Sequence, residues 1–122
     1  MISDIPKKKV ISLLVPAFNE EENVDVFYAE SSAVMEKIEG YEYEILFVND
    51  GSTDGTQRRI EDLAEKNSHV HYISLSRNFG KEIALTAGIQ NTKADSVIIL
   101  DVDLQYPLEK IPEFVKKWEE GY

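Results

Sequence analysis

The chain has 122 residues, of which 43% are hydrophobic and 30% are charged. This length suits one domain of roughly 100–150 residues, and the balance excludes a disordered chain. There are 23 acidic and 13 basic residues, a formal net charge of −10, which argues against a nucleic-acid partner because phosphate backbones would be repelled. A nucleotide is still compatible, since a metal ion can bridge two anions. Cysteine is absent, which excludes disulfides and thiolate metal sites.

The apolar runs are short. A run such as Val97–Leu100 is far below the ~18 residues that a membrane span requires. The polar, basic start over residues 1–9 lacks the apolar segment typical of a signal peptide. We therefore expect a cytoplasmic protein.

β-rich runs and helical patterns alternate along the chain. A first strand is predicted over Val10–Val15, ending at Pro16. Asn19, as a cap before the acidic first turn Glu20–Glu22, predicts the start of a helix that ends at Gly40. Apolar residues recur at helical spacing between them, which indicates an amphipathic helix.

The second half of the pattern repeats this alternation. The second and third strands are predicted over Tyr43–Val48 and Val70–Leu75. Between them, Asp54 is expected to cap a helix that runs to Asn67 and faces inward with Ile60, Leu63 and Ala64. A third helix over Gly80–Gln90 presents the small residues Ala84, Ala87 and Gly88.

The fourth strand is predicted over Ser96–Leu100, and its nearly continuous apolar run is typical of a strand buried on both faces. A last helix opens at Pro107 and carries Leu108, Ile111, Val115 and Trp118. This β-α alternation predicts an α/β fold, a mainly parallel sheet with helices on both faces. Ligands bind such sheets at the carboxyl ends of the strands, and a polar cluster follows each of the four predicted strands.

Asp101 and Asp103 follow the fourth strand, with Gln105 two residues further on. Two such close carboxylates repel each other unless a cation lies between them, and oxygen ligands favour Mg²⁺ or Mn²⁺ over zinc. The alternative is that these acids only cap the following helix or lie solvated in a loop. Their place directly after a buried strand favours the metal site.

Asp50 follows the second strand within the turn 49–55, most of which ordinary turn chemistry would explain. Its carboxylate could accept a hydrogen bond from a base N–H or a ribose hydroxyl. The segment Pro16–Glu20 follows the first strand, and it is either a wall for a nucleobase or only a proline-terminated strand with an asparagine cap.

Arg77 and Lys81 are cations in a loop at the ligand edge of an acidic protein. They are candidates for holding a diphosphate or an acceptor phosphate, and a solvated loop is the alternative. His69 and His71 alternate at the predicted edge strand, and we interpret both as surface residues and not as ligands.

Four segments together resemble the GT-A-fold family 2 glycosyltransferases, in particular the polyprenyl-phosphate branch with its bactoprenol glucosyltransferases and dolichyl-phosphate mannose synthases. The resemblance covers residue 10 to the end of the chain, in segments that occur in the family's order. These are Val15–Asn23, Val48–Thr56, Ser76–Glu82 and Asp101–Pro107. The usual fourth motif is Asp-Ala-Asp-Leu-Gln, so Val102 is a mild departure.

The resemblance implies a role for each matched residue. Asp101 and Asp103 would be the catalytic Asp-x-Asp pair that touches the ribose and the metal, and Gln105 would join the metal shell, with Mg²⁺ or Mn²⁺ as cofactor. Arg77 and Lys81 match the third motif without an assigned role. The nucleotide pocket would be lined by Pro16, Ala17, Phe18, Glu20, Asp50 and Asp101.

The implied reaction is an inverting transfer of a hexose from a donor of the UDP-glucose or GDP-mannose type to an acceptor, a polyprenyl phosphate in this branch. It also implies a place in cell-wall or lipopolysaccharide biosynthesis, at the cytoplasmic face of the membrane. Family domains are about twice as long, so we interpret residues 1–122 as the N-terminal donor-binding part, which stops before the acceptor half. We expect little or no transfer by this chain alone, and the missing cover would favour self-association.

Two alternatives stay open. A receiver-type phosphoacceptor domain has a similar size and alternation. It would need an acidic pair after the first strand, a lone aspartate after the third and a lysine after a fifth, and this sequence lacks that set. A non-catalytic nucleotide-sugar-binding module is the second alternative, although the intact Asp101, Asp103 and Gln105 count against a loss of metal binding.

Overall fold

The computed structural model describes residues 8–105 and 107–121. Residues 1–7, Tyr106 of the fourth motif and Tyr122 lie outside the described residues. Strands and helices alternate along the described chain. In order they are β1 (Lys9–Ala17), α1 (Val24–Met35), β2 (Tyr41–Asn49), α2 (Thr56–Lys66), β3 (Val70–Ser74), α3 (Lys81–Asn91), β4 (Ser96–Ile99), a 3-10 helix (Leu108–Lys110) and α4 (Ile111–Glu119).

The strands form one parallel sheet in the order β3-β2-β1-β4. In its register, Leu14 of β1 lies between Leu46 of β2 and Ile99 of β4. The chain first adds strands on one side of β1 and then places β4 on the other side. The order therefore reverses between β1 and β4, and this is the point at which open α/β sheets form a ligand crevice. The predicted α/β class is confirmed.

Helices cover both faces of the sheet, as predicted. On one face, fully buried side chains of α1, α2 and α4 (Phe27, Ile60 and Ile111) join the main core with alternate residues of β1. On the other face, Ala84 of α3 packs in a smaller core with Leu14 of β1. A Cβ on Gly88 would lie 2.3 Å from a methyl group of Leu14, so the close approach of α3 requires a small residue there.

The first helix begins later than the sequence predicts. Asn19 has a φ of 52°, a left-handed conformation, and its side-chain oxygen accepts the N–H of Thr53 at 2.8 Å. Asn19 therefore joins the loop after β1 (residues 18–23, the β1 loop) to the loop after β2 (residues 50–55, the β2 loop), and it does not cap a helix. Residues 20–23 form a turn, and α1 ends at Met35, five residues before Gly40. The Asn19 side chain thus binds Thr53, 34 residues away in the sequence, instead of the N–H groups of the helix that follows it.

The burial predicted for the fourth strand is wrong. Ser96–Ile98 are only half-buried, and Ile99 is 47% exposed. The reason is its position, because β4 is an edge of the described sheet and α3 packs over β1 and β2. The last helix also differs, since a 3-10 helix separates Pro107 from the start of α4. Among the described residues, no helix has the length and apolar character needed to cross a membrane.

Candidate active site

A pocket of about 240 Å³ lies at the carboxyl edge of the sheet, where the strand order reverses. It brings together residues that follow β1, β2, β3 and β4, although they are far apart in the sequence. All six residues predicted for the nucleotide pocket are among them. The lining is Pro16, Ala17, Phe18, Glu20, Asp50, Asn78, Gly80, Lys81 and Asp101.

The loop after β1 forms one wall of the pocket. The Phe18 ring is 44% exposed, so an apolar face is available to a ligand. The loop after β2 and the first residue of α2 hold this wall in place. The Asn19 N–H donates to Ser52 Oγ at 2.9 Å, and the Glu20 N–H donates to Thr56 Oγ1 at 2.8 Å. Because both loops are tied together, the wall is fixed before any ligand binds.

Asp54 supports this arrangement from the start of α2. Its carboxylate accepts the Thr56 N–H at 2.9 Å and the Glu21 N–H at 3.3 Å. The N-cap position is Gly55, without a side-chain cap, so the predicted cap is wrong by one residue. Desolvation alone would raise the pKa of Asp54, but hydrogen bonds from the Thr56 hydroxyl and from backbone N–H groups outweigh it and lower the pKa.

Asp50 lies in the pocket but is only 4% exposed. Its Oδ1 accepts the Phe79 N–H at 2.8 Å, and its Oδ2 accepts the Gly80 N–H at 3.1 Å. Both carboxylate oxygens therefore hold the loop that leads into α3. Each oxygen has a second lone pair, so contact with a base or a ribose is still available and stays a prediction.

Two of the predicted charged residues form an ion pair in the pocket. Lys81 Nζ lies 2.9 Å from Asp101 Oδ1, and both side chains are about half exposed. Arg77, in contrast, is not part of the lining, and its guanidinium lies 4.3 Å from the centre of the Phe79 ring. The structure therefore brings Lys81 into the pocket and places Arg77 beside it.

Asp103 lies in a turn outside the lining, and Gln105 follows that turn. Leu104 has a φ of 61°, and its N–H donates to the Asp101 carbonyl at 3.2 Å. Within residues 8–105 and 107–121, no group of three or more His, Cys, Asp or Glu side chains could hold a metal ion. Mg²⁺ commonly takes one or two carboxylates and completes its shell with water and phosphate oxygens. Asp101, Asp103 and Gln105 offer two carboxylates and an amide oxygen close together in the sequence, and this donor set fits that chemistry.

The histidines lie at the opposite end of the sheet. His71 is exposed, as predicted, but the prediction that His69 is a surface residue is wrong. The His69 ring lies 4.8 Å from the Tyr43 ring and 5.9 Å from the Tyr28 ring, and its Nε2 is buried with no partner among the described residues. Burial lowers the pKa of His69.

Two pocket residues were not singled out from the sequence. Asn78 and Gly80 lie in the third motif, which was quoted as a segment without a role for either residue. The available signal was their position after β3, at the same edge as the other clusters. The backbone N–H of Gly80, not a side chain, makes the contact with Asp50, and residue type alone does not reveal such a contact.

A parallel sheet with a pocket at its strand-order reversal places the chain in the class of open α/β domains, in which ligands bind at that point. The sequence matches the model of Glycosyl transferase family 2 over residues 12–122, and the chain belongs to this family. It is 46% identical over 116 residues to the putative glycosyltransferase CsbB of Bacillus subtilis, covering 95% of this chain and 35% of that protein. It is 50% identical over 111 residues to the bactoprenol glucosyl transferase of Shigella phage SfX, covering 91% of this chain and 36% of that protein.

Solved structures agree on the GT-A fold. The structure of TarS 1-349 from S. aureus in complex with UDP has a TM-score of 0.72 and 22% identity, covering 90% of this chain and 32% of that one. The mannosyltransferase PcManGT from Pyrobaculum calidifontis, in complex with GDP-Man and Mn²⁺, has a TM-score of 0.67 and 21% identity, covering 85% and 30%. The chain thus spans about a third of the length of the curated relatives it matches.

Proposed function

We propose that this chain is the donor-binding part of an inverting glycosyltransferase that takes a hexose from a nucleoside-diphosphate sugar. The observation that carries the proposal is the pocket itself. Residues from four separate motifs meet there at the strand-order reversal, among them Phe18, Asp50, Lys81 and Asp101. Membership of Glycosyl transferase family 2 supports the class of reaction.

The nucleoside would lie against the loop after β1. Phe18 offers an exposed ring, and the backbone around Ala17 is held by β1. Asp50 and Glu20 supply carboxylate acceptors for a base N–H or a ribose hydroxyl, and Asp101 is within the same pocket. The diphosphate would then extend toward Lys81, the described cation that lines this pocket.

Asp101, Asp103 and Gln105 would hold Mg²⁺ or Mn²⁺. When bound, this ion would neutralise the charge that develops on the departing diphosphate. The chain's own contribution is to place oxygen ligands beside the diphosphate subsite and to keep a lysine next to Asp101, at 2.9 Å. A relative of the same fold was crystallised with GDP-Man and Mn²⁺, which supports this cofactor class.

For the acceptor we propose a polyprenyl phosphate, because curated relatives at 48–50% identity are named bactoprenol glucosyl transferases. A lipid phosphate brings an anionic oxygen, so attack on the anomeric carbon would not require a strong general base. With such an acceptor, we expect the whole protein to act at the cytoplasmic face of a membrane. The acceptor side would be formed by sequence that corresponds to the remaining two thirds of the relatives.

A second candidate function is a nucleotide-sugar-binding module without catalysis. The same pocket would serve it, and the ion pair of Lys81 with Asp101 at 2.9 Å gives Asp101 a partner without a metal. Both candidates predict donor binding, and only the first predicts transfer once an acceptor half is present. We expect this chain alone to bind a donor weakly and to transfer little or no sugar.

Calorimetric titration with UDP-glucose and GDP-mannose, each with and without Mn²⁺, tests the proposal. We expect metal-dependent binding of one donor, and loss of that binding in Asp103→Ala. Asp62→Ala is the matched control, because it removes an exposed carboxylate on α2 that lies 3.8 Å from Arg58 Nε. A folded chain that binds neither donor, or an Asp103→Ala variant that binds like the control, would refute it.

A further inference from the structure

Asp50 makes an unusual pair of contacts for a carboxylate in a ligand pocket. It is 4% exposed, and each of its oxygens accepts one backbone N–H, from Phe79 at 2.8 Å and from Gly80 at 3.1 Å. Hydrogen bonds to an ionised acceptor are stronger than those between neutral groups. The Asp50 side chain therefore holds the end of the loop after β3 (residues 75–80), here called the β3 loop, against the residue that follows β2.

The neighbouring glycine shows independently how closely these two loops approach. Gly51 has a φ of +72°, and a Cβ there would lie 2.2 Å from the Arg77 carbonyl carbon and 2.4 Å from the Asn78 nitrogen. These are backbone atoms, which cannot rotate away. The β2 loop and the β3 loop thus touch through their main chains on one side and through Asp50 on the other.

The clamp leads directly to a charged side chain. Gly80, whose N–H is held by Asp50, uses its own carbonyl to accept the Ala84 N–H at 3.1 Å in the first turn of α3. Lys81 is the next residue and the first of α3. Its Nζ lies 2.9 Å from Asp101. Asp50 is therefore linked to Lys81 through Gly80, the residue that directly precedes α3.

We propose that Asp50 is a positioning residue, which holds the start of α3 so that the Lys81 ammonium stays in the pocket beside Asp101. The inference rests on the proposed donor-binding function and assigns Asp50 a task besides nucleotide contact. A carboxylate is required because two N–H donors converge on it. An asparagine could accept only one of them and would present its own NH₂ to the other.

The first test is a double-mutant cycle with D50N, K81M and the double variant, in which UDP binding is titrated in the presence of Mn²⁺. D62N, an exposed change of the same chemical kind, is the control. We expect D50N to weaken UDP binding about tenfold, as loss of a charged hydrogen-bond acceptor should. In the K81M background the same change should cost less, because only the loss of the direct nucleotide contact remains. Equal effects in both backgrounds would overturn the proposal, because Asp50 would then act independently of Lys81.

The second test needs no nucleotide. Hydrogen exchange measured by NMR should show protected amides at Phe79 and Gly80 in the wild-type chain, and D50N should remove this protection while β1 amides stay protected. Unprotected amides in the wild type would overturn the clamp. If neither the wild-type chain nor any variant binds UDP, but D50N removes the protection of the Phe79 and Gly80 amides, the clamp stands and the proposed function fails. If D50N does not fold, G80A replaces it. The φ of 101° strains an alanine at this position, but no atom lies within 4 Å of the added Cβ, so the change should disturb the start of α3 without a collision.

Discussion

Gly51→Ala is expected to disrupt the junction between the β2 and β3 loops. The residue has a φ of +72°, which an L-residue adopts only with strain. In addition, an added methyl would lie 2.2–2.6 Å from the Arg77 and Asn78 main chain. Gly40 provides a matched control, since its φ is +87° but nothing lies within 4 Å of an added Cβ. The two variants share the strain, and only one has the collision.

The magnitude follows from these two contributions. The left-handed conformation costs a non-glycine residue about 1–2 kcal/mol, and the reduced entropy of the unfolded chain returns about 0.4–1 kcal/mol. Gly40→Ala should therefore lower the free energy of unfolding by about 1 kcal/mol or less. Gly51→Ala adds an overpacking cost of about 1–3 kcal/mol, because main-chain atoms must move apart. The expected total for Gly51→Ala is about 1–4 kcal/mol.

Urea denaturation followed by circular dichroism measures both variants on the same scale. Gly51→Ala should lose at least ~1 kcal/mol more stability than Gly40→Ala, the lower bound of the collision. Its UDP affinity should fall as well, since the displaced segment leads to Lys81. Equal losses of stability in the two variants would refute the claim that the loops meet through their main chains.

Three further predictions concern the core, the histidine and the β1 loop. Phe27→Ala should lower the free energy of unfolding by about 3–5 kcal/mol, because the ring is fully buried against Phe47. Val26→Ala, at a neighbour that is 50% exposed, should lower it little. Similar losses of stability in the two variants on urea denaturation would be inconsistent with this core. Because burial lowers the pKa of His69 below 6.5, the unfolded chain binds the proton more readily, so this contribution to stability is present above that pH and is lost as the pH falls. His69→Phe should flatten the decline in urea stability between pH 7.5 and 5.5, and an unchanged decline would argue against a lowered pKa at this half-buried imidazole. Asn19→Gly should lose about 1 kcal/mol with the hydrogen bond to Thr53, and Asn19→Ala about 1 kcal/mol more from its φ of 52°; an alanine variant as stable as the glycine variant would contradict the left-handed assignment.

The alternation of elements could be predicted from the sequence because each pattern is local. Helical spacing in Ile60 and Leu63 and β-rich runs such as Val10–Val15 need no knowledge of distant partners. The same applies to the position of the pocket. Once the strands are parallel, the residues that follow them must meet at one edge. Phe18 and Asp101 were therefore expected to lie together, although 82 residues separate their positions in the sequence.

The errors occur where a distant group determines a local outcome. Asparagine is a common residue type at helix caps, but Asn19 forms hydrogen bonds with Ser52 and Thr53 of the β2 loop instead. The apolar run of β4 fits a central strand, yet Ile99 is exposed because α3 lies over other strands. His69 alternates like a surface residue, and two tyrosines enclose its ring.

The central claim is that a nucleotide binds at the reversal of strand order. NMR mapping of amide shifts on adding UDP and Mg²⁺ tests it most directly. The account predicts that the shifts cluster at Ala17, Phe18, Asp50 and Lys81. A larger groove of about 710 Å³, lined by Tyr41 and His69 among others, lies at the other end of the sheet. Shifts confined to that groove, or no shifts in a folded chain, would contradict the account.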